Sequence, residues 1–221
     1  METTLHRQLK ALYARAPREV EVPVAGYRID VVRGPLLVEI QHASLASIRD
    51  KVRTLLQRHR VLVVKPIVAA KTLVQQDAKG GRVVRRRRSP KHGTLLSAFD
   101  ELVHFTTVFP HQRLALELVR VEVEEWRYPC RHRRCGYRIE DRRLVRVLDV
   151  HRFRAAADLC RLVPQRLPQP FHTGHLAQQL NVDRTVAQRV AYCLRKTGAV
   201  CQVGQHGNTR LYAFAAPRCA A

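Results

Sequence analysis

Asp30, Glu39 and Gln41 set polar groups on or at the ends of otherwise apolar segments, where the two carboxylates could converge on a metal ion. Asp30 closes the segment Tyr-Arg-Ile-Asp, and Glu39 and Gln41 belong to Leu-Val-Glu-Ile-Gln. Residues two apart in a strand share a face, so Glu39 and Gln41 point the same way. An acid at the end of an apolar strand is costly unless it has a partner. Two carboxylates converging on one point make a hard oxygen site suited to Mg2+, with Mn2+ as its substitute. Glu2, three residues before Leu5, is placed to reach that point from the inner side of a first helix. A metal held by Glu2, Asp30 and Glu39 would lower the pKa of a bound water and so supply a nucleophile. Taken singly, each acid reads more simply as half of an ion pair with one of many arginines.

A second constellation lies near the C-terminus. Arg184, Thr185, Gln188, Arg189 and Tyr192 fall on or near one face of a helical stretch, and Val186, Val190 and Leu194 occupy the other. Gln205, His206, Asn208 and Arg210 fall in or beside a turn between two short extended segments. Arginine and glutamine are side chains that read base edges in a major groove, and arginine also grips phosphate. An exposed face of this kind suits DNA contact, with a protein partner as the plainer alternative.

The elements that must position these residues follow from periodicity. Residues 3–13 read as a helix with Leu5, Leu9 and Leu12 on one face, closed by Pro17. Extended segments follow at 19–24, 27–32 and 36–41, with turns at Gly26 and Gly34-Pro35. A helix over 44–59 carries Leu45, Ile48, Val52, Leu55 and Leu56 on one stripe. The apolar run 61–64 is a buried strand stopped by Pro66. The run 79–91, with four consecutive arginines at 85–88, reads as a solvated loop. A helix is expected over 94–107 and a strand over 114–123. Eight arginines between 127 and 146 mark a basic linker. Beyond it come a helix over 153–162, broken by Pro164, Pro168 and Pro170, and a second helix capped by Thr173 with Leu176, Ala177 and Leu180 inward. Asp183 caps a third helix, which ends at Gly198, and a hairpin pairs 200–203 with 209–214.

The C-terminal order of three helices and a hairpin resembles the winged helix-turn-helix family. The resemblance implies that the third helix enters a major groove and that Gln205, His206, Asn208 and Arg210 touch the neighbouring backbone. The N-terminal order of helix, three strands, helix and strand, with Asp30 and Glu39 placed as they are, resembles the PD-(D/E)XK, or restriction-endonuclease-like, nuclease superfamily. That resemblance implies an α/β fold with a mixed sheet, in which Asp30 and Glu39 are metal ligands and Glu2 is an auxiliary acid. Gln41 stands where the family usually has lysine, and Lys51 on the next helix is a candidate replacement for that charge. The implied organisation is a nuclease-like domain over 1–126, a basic linker over 127–148 and a winged-helix domain over 149–215. The expected function is DNA binding with metal-dependent cleavage of DNA. The alternative is a non-catalytic DNA-binding regulator that keeps a degenerate nuclease fold as scaffold or dimerisation unit.

Composition sets the outer bounds. The 221 residues carry 40 Lys plus Arg against 18 Asp plus Glu, a net charge of +22. Such a chain repels itself and calls for a polyanion, with DNA ahead of RNA. A hydrophobic share of 46% predicts a folded core. No stretch has the apolar length of a membrane span, and the N-terminus lacks a secretory signal. The six scattered cysteines do not form a disulfide framework, so a cytoplasmic protein with reduced thiols is expected. Cys130 and Cys135, with His132 and His151 near, lack the second cysteine pair of a structural zinc site.

Overall fold

The computed structural model describes residues 3–131, 135–164 and 166–215. The chain is mixed α/β and forms two compact units that interleave in sequence. The first unit comprises Met1–His42, His59–Leu95 and Glu117–His151, and the second Ala43–Arg58, Leu96–Leu116 and Arg152–Ala221.

The first unit is built on a large mixed sheet. Helix α1 (Thr4–Tyr13) starts at Thr3, whose hydroxyl accepts from the His6 N–H. It buries Leu5 and Leu9, whereas Leu12 is exposed and the stem of Lys10 is buried in the stripe instead. The Lys10 ammonium emerges against the Glu21 carboxylate at 2.5 Å. Strands β1 (Val20–Val24) and β2 (Tyr27–Arg33) form a hairpin closed by Ala25 and Gly26, both at positive φ. Two consecutive positive φ angles match the right-handed twist of the strands they join. Strand β3 (Leu36–Ile40) runs antiparallel to β2 and parallel to the first residues of β4 (Arg60–Gln76). Strands β5 (Val83–Arg88), β6 (Leu114–Pro129) and β7 (Tyr137–Phe153) complete seven strands, with β6 beside β4, β7 beside β6, and β5 paired to β4. Ile29, Val31, Val38, Val63, Val64, Val121 and Val123 fill the buried positions.

Two stretches expected to be irregular are strand. Pro66 does not stop β4. The last pairing with β3 is Ile40 with Val64, so the proline nitrogen falls beyond the end of β3, where no ladder bond is required of it. The arginines at 85–88 lie on β5, not on a loop, and the stretch 127–148 expected as a linker lies largely in β6 and β7. The reason is non-local charge balance. Arg86 pairs with Glu124 at 2.5 Å, Arg88 with Glu122 at 3.6 Å, and Arg146 with Glu122 at 2.8 Å. Trp126 lies beneath the guanidinium groups of Arg86 and Arg143. Glu125, 1% exposed, accepts from Lys71 at 3.1 Å, from Arg142 at 3.0 Å and from Arg127.

The second unit is mostly helical. Its early segments supply a 3-10 turn (Leu45–Ile48), helix α2 (Arg49–Leu55), a second 3-10 turn (Leu95–Ser97) and helix α3 (Ala98–Leu102). The helix expected over 94–107 is thus only five residues of α3 with turns on either side, and the helix expected over 153–162 is a 3-10 segment, Ala156–Leu162. Helix α4 (Thr173–Leu180) is capped by His172 rather than by Thr173, the imidazole Nδ1 accepting from the N–H groups of Gly174 and His175. Asn181 in the left-handed conformation ends α4, and α5 (Arg184–Thr197) follows with Asp183 at its N-cap and Gly198 at φ 82° beyond its end. A hairpin of β8 (Val200–His206) and β9 (Thr209–Phe214) comes last. Phe171 exchanges backbone hydrogen bonds with Tyr212 at 2.8 and 2.7 Å, tying the hairpin to the residue before the α4 cap. Phe99, Leu102, Phe171, Leu176, Val190 and Leu194 are among its buried side chains.

Glu125 is the charge whose removal should be felt most in the sheet. Glu125→Ala leaves three cations without their shared carboxylate, and urea unfolding should show a loss of about 3 kcal/mol. A loss within error of zero would mean that solvent takes over the role of the carboxylate.

Candidate nucleic-acid interface

The 3.6-residue period of α5 buries Ala187, Val190, Ala191 and Leu194 and leaves Arg184, Gln188, Tyr192 and Arg195 along the opposite stripe. That stripe, with Thr185 and Arg189 beside it, is the floor of a concavity of about 570 Å³. The hairpin lines it through Asn208, Thr209, Arg210 and Tyr212, and Val103, directly after α3, and Thr173 at the start of α4 complete it. Seven of the nine residues expected to bind DNA therefore share one surface: Arg184, Thr185, Gln188, Arg189, Tyr192, Asn208 and Arg210. Gln205 and His206 lie on β8, exposed and outside this lining, with the Gln205 amide donating to the Gly207 carbonyl at 2.7 Å.

Arg195 escaped the sequence reading although it continues the 184/188/192 stripe by one turn. Asp100 escaped it too, because it is distant in sequence. The Asp100 carboxylate forms an ion pair with Arg189. The backbone carbonyl of Phe99 accepts from the Cys193 thiol at 3.6 Å. These two interactions fix α3 along the flank of α5. Burial, with the Asp100 charge adding to it, pushes the Cys193 thiol up to about 12, so it stays protonated and unreactive.

Among the acids of the first unit, Asp30 has structural partners. Asp30 lies opposite Glu39 across the β2–β3 pair, and the ladder is interrupted there. The Asp30 side chain replaces backbone: one carboxylate oxygen accepts from the Ile40 N–H at 2.8 Å, and the other meets His6 Nε2 at 3.0 Å. Burial pushes the Asp30 carboxyl up, but these hydrogen bonds and the charges of His6 and Lys10 outweigh it and hold it below its usual range. Glu39 is 5% exposed on β3. His42 stacks obliquely on His6 with ring centroids 5.4 Å apart. The Lys65 ammonium, also buried, donates to the His42 carbonyl at 3.1 Å. Gln41 donates its backbone N–H to Val64 just past the end of β3, and Lys51 lies on α2, in the second unit.

Both oxygens of Asp30 are engaged, one by His6 and one by the Ile40 N–H, and Lys10 adds a positive charge nearby. Among the described residues no group of three His, Cys, Asp or Glu side chains is placed to hold a metal ion. Glu2 and His132 lie outside the described residues. Sequence reasoning missed His6, His42 and Lys65. The one available signal was register: parallel pairing of β3 with β4 sets Gln41 beside Lys65 once Ile40 pairs with Val64.

A family model for a domain of unknown function, DUF8091, matches residues 3–154. The chain belongs to the DUF8091 family. The matched region takes in the whole sheet and ends at the last residues of β7, just before the Ala156–Leu162 turn. An uncharacterized protein of Treponema pallidum (strain Nichols) is 31% identical over 216 residues, spanning 96% of this chain and 84% of the relative. The likeness thus continues through α4, α5 and the hairpin. No solved structure matches the chain. Among the described residues no helix is long and apolar enough to cross a membrane.

The buried imidazole gives this family member a pH signature. Burial, then the charges of His6 and Lys65, lowers the His42 pKa from 6.5 to about 4. Between those values the unfolded chain binds more protons at this site than the folded one, so stability falls as pH falls through that window. The full shift corresponds to about 3 kcal/mol. Urea unfolding at pH 7 and pH 4.5 should show most of this loss in the parent and little of it in His42→Gln. Equal slopes in the two proteins would show that another group titrates.

Proposed function

We propose that this protein binds nucleic acid, DNA ahead of RNA, through the concave surface of α5 and the β8–β9 hairpin. The observation that carries the reading is the convergence of Arg184, Arg189, Arg195 and Arg210 with Gln188 and Tyr192 in one concavity. A chain with a net charge of +22 supplies the attraction, and the clustered arginines give it a place to act. The order α4, turn, α5, hairpin supports a winged helix-turn-helix reading of this part. A homodimer is compatible with the reading and is not required by it.

For the first unit we propose a restriction-endonuclease-like fold that serves as a scaffold and does not cut. The order of α1, three antiparallel strands and a fourth strand parallel to the third supports the fold. Gln41 in the usual lysine position and the Asp30 carboxylate spent on His6 and Ile40 support the lack of cleavage.

A fluorescent DNA duplex with a single-stranded overhang tests binding by anisotropy across a salt series. Arg184→Ala and Arg210→Ala should each weaken binding and lower the salt slope by about 1, as expected when one fewer phosphate is neutralised. Unchanged affinity in both would place the interface elsewhere. Incubating the same DNA with Mg2+ or Mn2+ should leave it intact. Asp30→Asn should keep the affinity and lower unfolding stability by about 1–3 kcal/mol, since it leaves buried donors poorly matched. Metal-dependent nicking that Asp30→Asn abolishes would restore the nuclease reading.

A further inference from the structure

Three features of the α5 concavity bear on which form of nucleic acid it takes. First, the outward stripe of α5 lines a concavity together with other elements and does not stand free. The hairpin lines one part of it through Asn208 and Arg210, and Val103 after α3 lines another. The Asp100–Arg189 ion pair and the Cys193–Phe99 hydrogen bond hold α3 against α5. A helix that reads a duplex must protrude, because a major groove about 12 Å wide admits little more than the helix itself, about 10–12 Å across with its side chains. A helix whose outward stripe shares a concavity with other elements does not meet that requirement.

Second, Tyr192 lines the same concavity with 38% of its surface exposed, among arginines. An exposed aromatic ring within a cationic groove is the arrangement on which unpaired bases stack, while the arginines track the backbone. In duplex DNA the base faces are already stacked on each other and offer nothing to a tyrosine ring. Third, the volume of about 570 Å³ falls within the range of pockets that enclose small ligands, roughly 300–1,000 Å³, and so has room for a splayed nucleotide.

We infer that the concavity formed by α5, α3 and the β8–β9 hairpin receives single-stranded nucleic acid, with an unpaired base on Tyr192 and phosphates on Arg184, Arg195 and Arg210. This rests on the proposed binding role of the same surface and replaces major-groove entry as its mode. Arg189 is held by Asp100 and sits at the side of the floor, so the ion pair shapes the wall and does not compete for phosphate. The site reads an unpaired segment, such as a strand end, a gap or a loop.

The test compares three labelled probes of one sequence by anisotropy at fixed salt: a single-stranded 12-nucleotide DNA, the matching RNA, and the blunt DNA duplex. Either single strand should bind the full-length protein at least tenfold more tightly than the duplex, and the two strands show which sugar is preferred. Tyr192→Ala should weaken the preferred strand by about 5- to 100-fold, the range for loss of one stacked base. Tyr192→Phe should restore binding, which a purely structural role of the hydroxyl would not allow, and circular dichroism checks that both variants fold. Duplex binding tighter than both strands, or Tyr192→Ala without effect on strand binding, overturns the inference and leaves the proposed function intact. Absence of binding to all three probes overturns the proposed function itself.

Discussion

A carboxylate buried among three cations holds the large sheet together. Glu125 on β6 gathers Lys71 from β4, Arg127 from its own strand and Arg142 from β7. A carboxylate removed from water is tolerable only when its lone pairs are satisfied, and one Glu125 satisfies donors from three strands at once. On the same strand Glu122 and Glu124 answer Arg146, Arg88 and Arg86. Acids are few in this chain, and β6 concentrates three of them where the arginines of β5 and β7 need them. Without that concentration the strands flanking β4 and β6 would be runs of like charge with no reason to stay extended side by side.

This explains what could and could not be read in the sequence. Elements governed by local pattern were legible: α1, the β1–β2–β3 succession, α4, α5 and the final hairpin all follow apolar periodicity and turn residues. Elements governed by distant charge were not. Arg86, Arg88 and Arg146 looked like parts of solvated chain because their acidic partners lie 24 to 38 residues away. Helix 94–107 shrank to the five residues of α3, whose Phe99 and Leu102 are fixed by tertiary burial and not by a long amphipathic repeat.

The candidate sites divide in the same way. The α5 surface was legible because helical spacing alone sets Arg184, Gln188 and Tyr192 on one stripe, and the hairpin residues came close behind them. Its wall was invisible, since Asp100 and Val103 lie about 90 residues upstream of Arg189 and Tyr192. At Asp30 the acid was legible and its partners were not. A carboxylate that takes the place of backbone in the β2–β3 ladder spends its oxygens on structure, and only register and the neighbouring His6 reveal this.

The interleaving of the two units in sequence orders events in time. The helical unit draws on 43–58 and 96–116 as well as on residues beyond 151, whereas the sheet ends with β7 at Phe153. A chain emerging from its N-terminus can therefore close the sheet while α3 still lacks the helix it packs with. The apolar face of α3, Phe99 and Leu102, must wait for α5 before it gains its final cover. The α5 surface consequently takes shape only after residues 184–214 have been made.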